Sequence, residues 1–166
     1  GTIESFTEDL SVHNGDPNGI TDVTCDMSPA YIKGVKDNLP NATITFDKFH
    51  IMKQINEAVH EVRRIEQKEN ELLKSTRYLW LKNPENLTAY QREFLKPLSR
   101  MNLKTVRAYN IKLSFQEFWK IQDKDEAIAY LKRWYFWATH SRLEPIKSVA
   151  YMIKAHWDGI VYYISS

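Results

Sequence analysis

Three residues near the start of the chain have side chains and a spacing suited to metal-dependent phosphoryl chemistry: Asp26, Asp47 and His50. Each Asp closes a short β-prone run, residues 20–25 in one case and 42–46 in the other. In open α/β sheets, ligands gather at the carboxyl ends of the strands. Two carboxylates there offer hard oxygen donors to Mg2+, which binds one or two carboxylates together with substrate phosphates. Two such ions about 4 Å apart can clamp the attacking and leaving oxygens of phosphoryl transfer. His50, three residues after Asp47, suits a metal, a phosphate or a packed, hydrogen-bonded position. The same residues have a plainer use. Asp26 precedes Ser28-Pro29 and Asp47 precedes Lys48-Phe49-His50, so each can cap a helix by accepting from its free amides. Spacing alone favours capping over metal binding, and packing over ligation for His50.

Other chemistries find less support. The single Cys25 excludes an intramolecular disulfide and a thiolate zinc cluster, and its place on an apolar run suits the core. There is no His-x-x-x-His pair, phosphate-binding glycine loop or Gly-x-Ser-x-Gly turn. Basic residues are spread over the helical segments, and Arg63, Arg64, Arg77, Lys104 and Arg107 are the candidates for DNA phosphates. Most basic residues alternate with acids, which is how a solvated helix face reads. Trp134-Tyr135-Phe136-Trp137 covers both sides of a helix, favouring burial in a bundle, although one ring could stack on an unpaired base.

The elements that must position these groups follow from the pattern. Residues 2–12 read as a short amphipathic helix through Ile3, Phe6 and Leu10, and the turn-rich Asn14-Gly15-Asp16-Pro17-Asn18-Gly19 ends it. Strand 20–25, a helix from Ser28-Pro29 to near Leu39-Pro40, and strand 42–46 then favour a parallel pair with a right-handed crossover. From Ile51 onward the signal is helical. Ile51, Ile55, Val59, Val62 and Ile65 share one face, and further helices are expected over 72–81, 88–94, 102–119, 124–139 and 145–163. Asp123 is placed to cap one of them, and Asn83-Pro84 and Lys96-Pro97 should interrupt the series. Two strands do not make an independent sheet, so the first part is expected to be the edge of a larger one. The fold expected is mostly α with a small parallel β element. Residues 1–50 would be the partial sheet edge, and 51–166 a helical region packed with it as one compact unit.

The chain has 166 residues, 43% of them hydrophobic and 27% charged, enough for one domain with a real core and too apolar for a disordered tail. A formal net charge of +2 does not by itself imply a nucleic-acid partner. No apolar run reaches the roughly 20 residues of a membrane span, and no signal peptide is evident, so a cytoplasmic setting is expected.

Several stretches stand out together: Val23-Thr24-Cys25-Asp26-Met27-Ser28-Pro29-Ala30-Tyr31, Leu39-Pro40-Asn41-Ala42, Phe46-Asp47-Lys48-Phe49-His50, Arg77-Tyr78-Leu79-Trp80-Leu81-Lys82, Trp137-Ala138-Thr139-His140-Ser141 and His156-Trp157-Asp158-Gly159-Ile160. In this order they resemble the central part of bacterial insertion-sequence transposases of the ISL-three family. Each is short, but their shared order covers nearly the whole chain. The resemblance implies a ribonuclease H-like domain with an Asp-Asp-Glu triad, here a truncated α/β edge followed by a large helical insertion. It places the second Asp at Asp26, as a catalytic and metal-binding carboxylate, and the other two acids outside the chain. Asp47 and His50 would support the site. It also implies Mg2+ or Mn2+ as cofactor in the complete enzyme, transposon ends and target DNA as partners, and a homo-oligomer with no membrane association. On that reading the chain alone would be inactive. The competing reading is a non-catalytic helical module for DNA binding or dimerisation, its acids serving only as caps.

Overall fold

The structure is a computed structural model of the 166-residue chain, and residues 3–6, 8, 19, 22–25, 36–39, 41 and 43–165 are described. The chain divides into two compact units, Gly1–Ile51 with His156–Ser166, and Met52–Ala155.

The first unit contains the strands β1 (Asp22–Cys25) and β2 (Thr43–Phe46). They pair in parallel, with Asp22 opposite Thr43 and Cys25 opposite Phe46. Residues 3–6 and 36–38 are helical. The first falls within the expected N-terminal helix and the second near the expected end of the crossover helix, while 28–35 lie outside the described residues. The long helix α1 (Lys48–Glu66) starts two residues after β2 and contributes its first four residues to this unit. The last helix of the chain, Trp157–Ser165, packs against β2.

The second unit is helical. After α1 come a 3-10 turn at Glu71–Leu73, α2 (Arg77–Leu81), a second 3-10 turn at Pro84–Asn86, and α3 (Ala89–Ser99). They are followed by α4 (Lys104–Phe118), α5 (Lys124–Thr139) and α6 (Glu144–Ala155). The helix Trp157–Ser165 is α7. Helix α4 is the centre of this unit. Val106, Ala108, Tyr109, Ile111, Phe115 and Phe118 bury it on several sides, as expected of a helix without a clear polar face. Helix α5 packs on α4 and α6 on α5. Phe115 meets Trp134 edge-to-face at 4.7 Å between ring centroids, and the Trp134 indole N–H donates to the Ile111 carbonyl at 2.9 Å. That bond lets a buried Trp keep its polar handle satisfied.

Local chemistry sets the helix ends. Thr88 and Gln91 form a reciprocal capping box: the Gln91 amide donates to Thr88 Oγ1 at 3.1 Å and the Thr88 amide to Gln91 Oε1 at 3.0 Å. Asp123 accepts from the Glu126 amide at 2.8 Å, the cap expected of it. Helix α4 has no cap from its own preceding residue. Instead Glu66, at the end of α1 and buried, accepts from the Lys104 and Thr105 amides at 2.7 and 2.9 Å and from Thr105 Oγ1 at 2.8 Å. A carboxylate there meets both the free amides and the positive end of the helix dipole.

Three expectations about the helices need correction. The helix expected over 72–81 is two pieces, because Ser75 takes a left-handed backbone (φ 63°) that an α-helix cannot contain. The break expected at Lys96-Pro97 does not occur. Pro97 sits inside the last turn of α3, where the helix has only two residues left to run. The single helix expected over 145–163 is divided at His156 into α6 and α7.

The fold class also needs correction. Most of the described residues are helical. Strand among them is limited to one pair of four residues each. That pair is parallel, but with one partner per strand it does not constitute a ribonuclease H-like α/β edge. The core of the second unit is built largely from helix side chains. The chain is a helical protein carrying a small parallel pair.

Candidate functional site

The parallel register brings the carboxyl ends of β1 and β2 level, because Cys25 is opposite Phe46. The next residues in sequence are Asp26 and Asp47. Asp26 lies outside the described residues. Asp47 is half-exposed and stands between β2 and α1. Its Oδ1 accepts from the Phe49 amide at 2.9 Å, and its carbonyl accepts from the His50 and Ile51 amides at 3.1 and 3.2 Å. These bonds make Asp47 the N-cap of α1. Its other oxygen, Oδ2, lies 3.5 Å from His50 Nδ1, and both side chains are about half accessible to solvent. One oxygen is therefore committed to the cap, while the other faces a ring nitrogen at an accessible strand end. A carboxylate is the donor type that Mg2+ and Mn2+ select, so the chemistry of the donor set fits such an ion. Among the described residues, no three His, Cys, Asp or Glu side chains come together as a metal-binding group.

The five basic candidates fall into different environments. Arg63 is buried. Its Nη1 donates to Gln67 Oε1 at 2.9 Å and to the Leu73 carbonyl at 3.3 Å, and its Nη2 lies 3.2 Å from His60 Nδ1. Burial lowers the His60 pKa, and the charges of Arg77 and Arg63 lower it further, which favours a neutral ring whose Nδ1 accepts from Arg63. Arg63 thus ties α1 to the following 3-10 turn. Arg64 is exposed and held by Glu61 through two bonds, Nε–Oε2 at 2.9 Å and Nη2–Oε1 at 2.6 Å. Arg77 is exposed and close enough to Arg63 and His60 for its charge to act on both. Lys104 and Arg107 are exposed on the first turn of α4. The structure therefore pairs Asp47 with His50 and groups Arg77 with Arg63. Of the five, Arg77, Lys104 and Arg107 are exposed without a carboxylate partner among the described residues.

The aromatic run on α5 divides as a helix must. Trp134 is buried, whereas Phe136 and Trp137 are 64% and 44% exposed, so burial accounts for only part of it. Two features depart from the sequence reading, which counts Lys112 among the basic residues spread over the helical segments. One is Lys112, fully buried on α4, whose Nζ donates to the Trp80 and Leu81 carbonyls at 2.8 and 2.9 Å and so caps the C-terminal end of α2. Its signal was available: Lys112 is four residues from Ala108 and three from Phe115, on the buried stripe of α4. The other is a cavity of about 450 Å3 lined in part by Arg107, Asn110, Trp137 and Arg142. Arg107, Trp137 and the His140-Ser141 pair stand out in the sequence by type or motif, but their convergence on one cavity does not.

A family model described as transposase matches residues 1–166. The transposase for insertion sequence element IS1001 of Bordetella parapertussis is 26% identical over 168 residues, covering 96% of this chain and 41% of the relative. The transposase for insertion sequence element IS1557 of Mycobacterium tuberculosis is 26% identical over 165 residues, covering 82% of this chain and 37% of the relative. The chain thus spans about two-fifths of the length of these relatives. No solved structure matches. Because the family model covers the chain from end to end, the chain belongs to the ISL-three family of insertion-sequence transposases.

Proposed function

We propose that this chain is part of an enzyme that cuts and joins DNA during insertion-sequence transposition, by metal-dependent attack on phosphodiesters. The observation that carries this reading is the family match over residues 1–166. The level strand ends after Cys25 and Phe46 support it, because they bring the starts of the two acid-bearing segments to one edge. Asp26 is the carboxylate that would hold the metal, with Asp47 and His50 supporting it. Mg2+ or Mn2+, when bound, would supply charge stabilisation at the reacting phosphate. The partners are transposon ends and target DNA, the complete transposase acts as a homo-oligomer, and the setting is the bacterial cytoplasm. No helix among the described residues is long and apolar enough to cross a membrane.

The competing role, acids serving only as caps, has one observation in its favour: the bond from the Phe49 amide to Asp47 Oδ1. That bond occupies one oxygen of Asp47 and says nothing against Asp26. The test of the proposed function is a strand-transfer assay on a full-length transposase carrying this segment. Activity should vanish on chelation and return with Mg2+ or Mn2+. Undiminished strand transfer in excess chelator would refute the metal-dependent reading.

A further inference from the structure

The cavity on the second unit lies between α4 and the turn that joins α5 to α6. Its volume, about 450 Å3, is that of a site for a small organic ligand, roughly 300–1,000 Å3 in other proteins. Its lining combines three kinds of group. Arg107 and Arg142 contribute guanidinium charge, and neither has a carboxylate partner among the described residues. Trp137 contributes an indole that is 44% exposed, a large fraction for so apolar a ring. Asn110 contributes an exposed amide that can both donate and accept. The fully buried Ile111 is the apolar member of the lining.

Two details of the wall point the same way. Arg142 has a left-handed backbone (φ 62°), a conformation that an arginine rarely adopts and that concentrates at binding sites. The neighbouring His140 is already engaged. Its ring stacks on Phe136 with centroids 4.0 Å apart, and its Nδ1 lies 2.7 Å from the Phe136 carbonyl. His140 is thus a fixed wall, and Trp137 is the ring left available for stacking.

A guanidinium pair suits a phosphate, an indole face suits a nucleobase, and an amide suits the base edge. In a duplex, both faces of an internal base are covered by its neighbours, so an indole can stack only on a base outside the stack. We propose that this cavity binds one unpaired nucleotide of DNA, its base on Trp137 and its phosphate on Arg107 and Arg142. The proposal rests on the reading that the protein acts on DNA.

The test uses the purified chain and fluorescence anisotropy with three labelled DNAs of one sequence: a single strand, a full duplex, and a duplex with one bulged nucleotide. The single strand and the bulged duplex should bind more tightly than the full duplex. Trp137→Ala should weaken both of those complexes by about 5- to 150-fold, the range for loss of one stacked base, and leave full-duplex binding unchanged. Trp137→Phe should recover part of the loss. Arg107→Gln and Arg142→Gln should each weaken single-strand binding and flatten its salt dependence by about 0.7 in log–log slope. Circular dichroism and melting temperature check that the exposed-site variants stay folded. The site assignment is overturned if Trp137→Ala binds all three DNAs as the parent does, or loses affinity for all three equally. Absence of binding to every DNA would instead overturn the DNA reading and the site with it.

Discussion

At the scale of single residues, Asp47 has two roles that one substitution can separate. Its Oδ1 caps α1 through the Phe49 amide, and its Oδ2 faces His50 at 3.5 Å. Asn caps a helix about as well as Asp but lacks the charge a metal selects. Asp47→Asn should therefore change folding stability by less than about 0.5 kcal/mol, whereas Asp47→Ala should cost about 1 kcal/mol. If Asp47 supports the metal, Asp47→Asn in a full-length transposase should raise the Mg2+ concentration needed for half-maximal strand transfer. An unchanged Mg2+ requirement would reduce Asp47 to a cap. Spacing had made both roles legible and could not choose between them, because capping and ligation ask for the same side chain at the same strand end. Arg63 shows a different limit. Its type and charge are visible in the sequence, but its bonds to Gln67 and the Leu73 carbonyl depend on how the chain turns after α1.

At the scale of elements, Lys112 links α4 to the end of α2, and its burial carries a pH signature. Burial lowers its pKa to about 8 from the ordinary 10.5. Between those values the unfolded chain holds a proton that the folded chain has released, so stability rises with pH across that window. Tyr109, whose hydroxyl donates to the Lys82 carbonyl at 2.7 Å, works oppositely at higher pH. Burial, aided by the charge of Glu85, raises its pKa to about 12, so its contribution is lost as pH climbs from 10 toward 12. Urea unfolding from about pH 7.5 to about pH 9.5 should separate the two. Over that range the parent should gain on the order of 1–2 kcal/mol relative to Lys112→Met. A stability difference that stays flat, or shrinks, contradicts a buried, proton-releasing Lys112. The helices themselves were largely legible. Periodicity located α1, α3, α4 and α5, and Asp123 marked the start of α5. What periodicity could not supply were the break at Ser75, which follows from its left-handed backbone, and the break at His156. Nor could it supply the cap that Glu66 lends to α4 across 38 residues of sequence.

At the scale of the whole molecule, the family was legible because many short motifs kept their order, while the fold class was not. Motif order reports ancestry. Motif order does not report the proportion of helix to strand, and among the described residues helix dominates. The central functional claim therefore rests on Asp26, the residue after β1, in a chain that spans about two-fifths of its relatives' length. The most direct measurement is Mg2+-dependent strand transfer by a full-length transposase carrying this segment, with Asp26→Asn compared with the parent at matched folding and DNA binding. The account predicts that strand transfer falls below detection while binding to transposon-end DNA persists. Strand transfer by the Asp26→Asn protein at the parent's rate would contradict it.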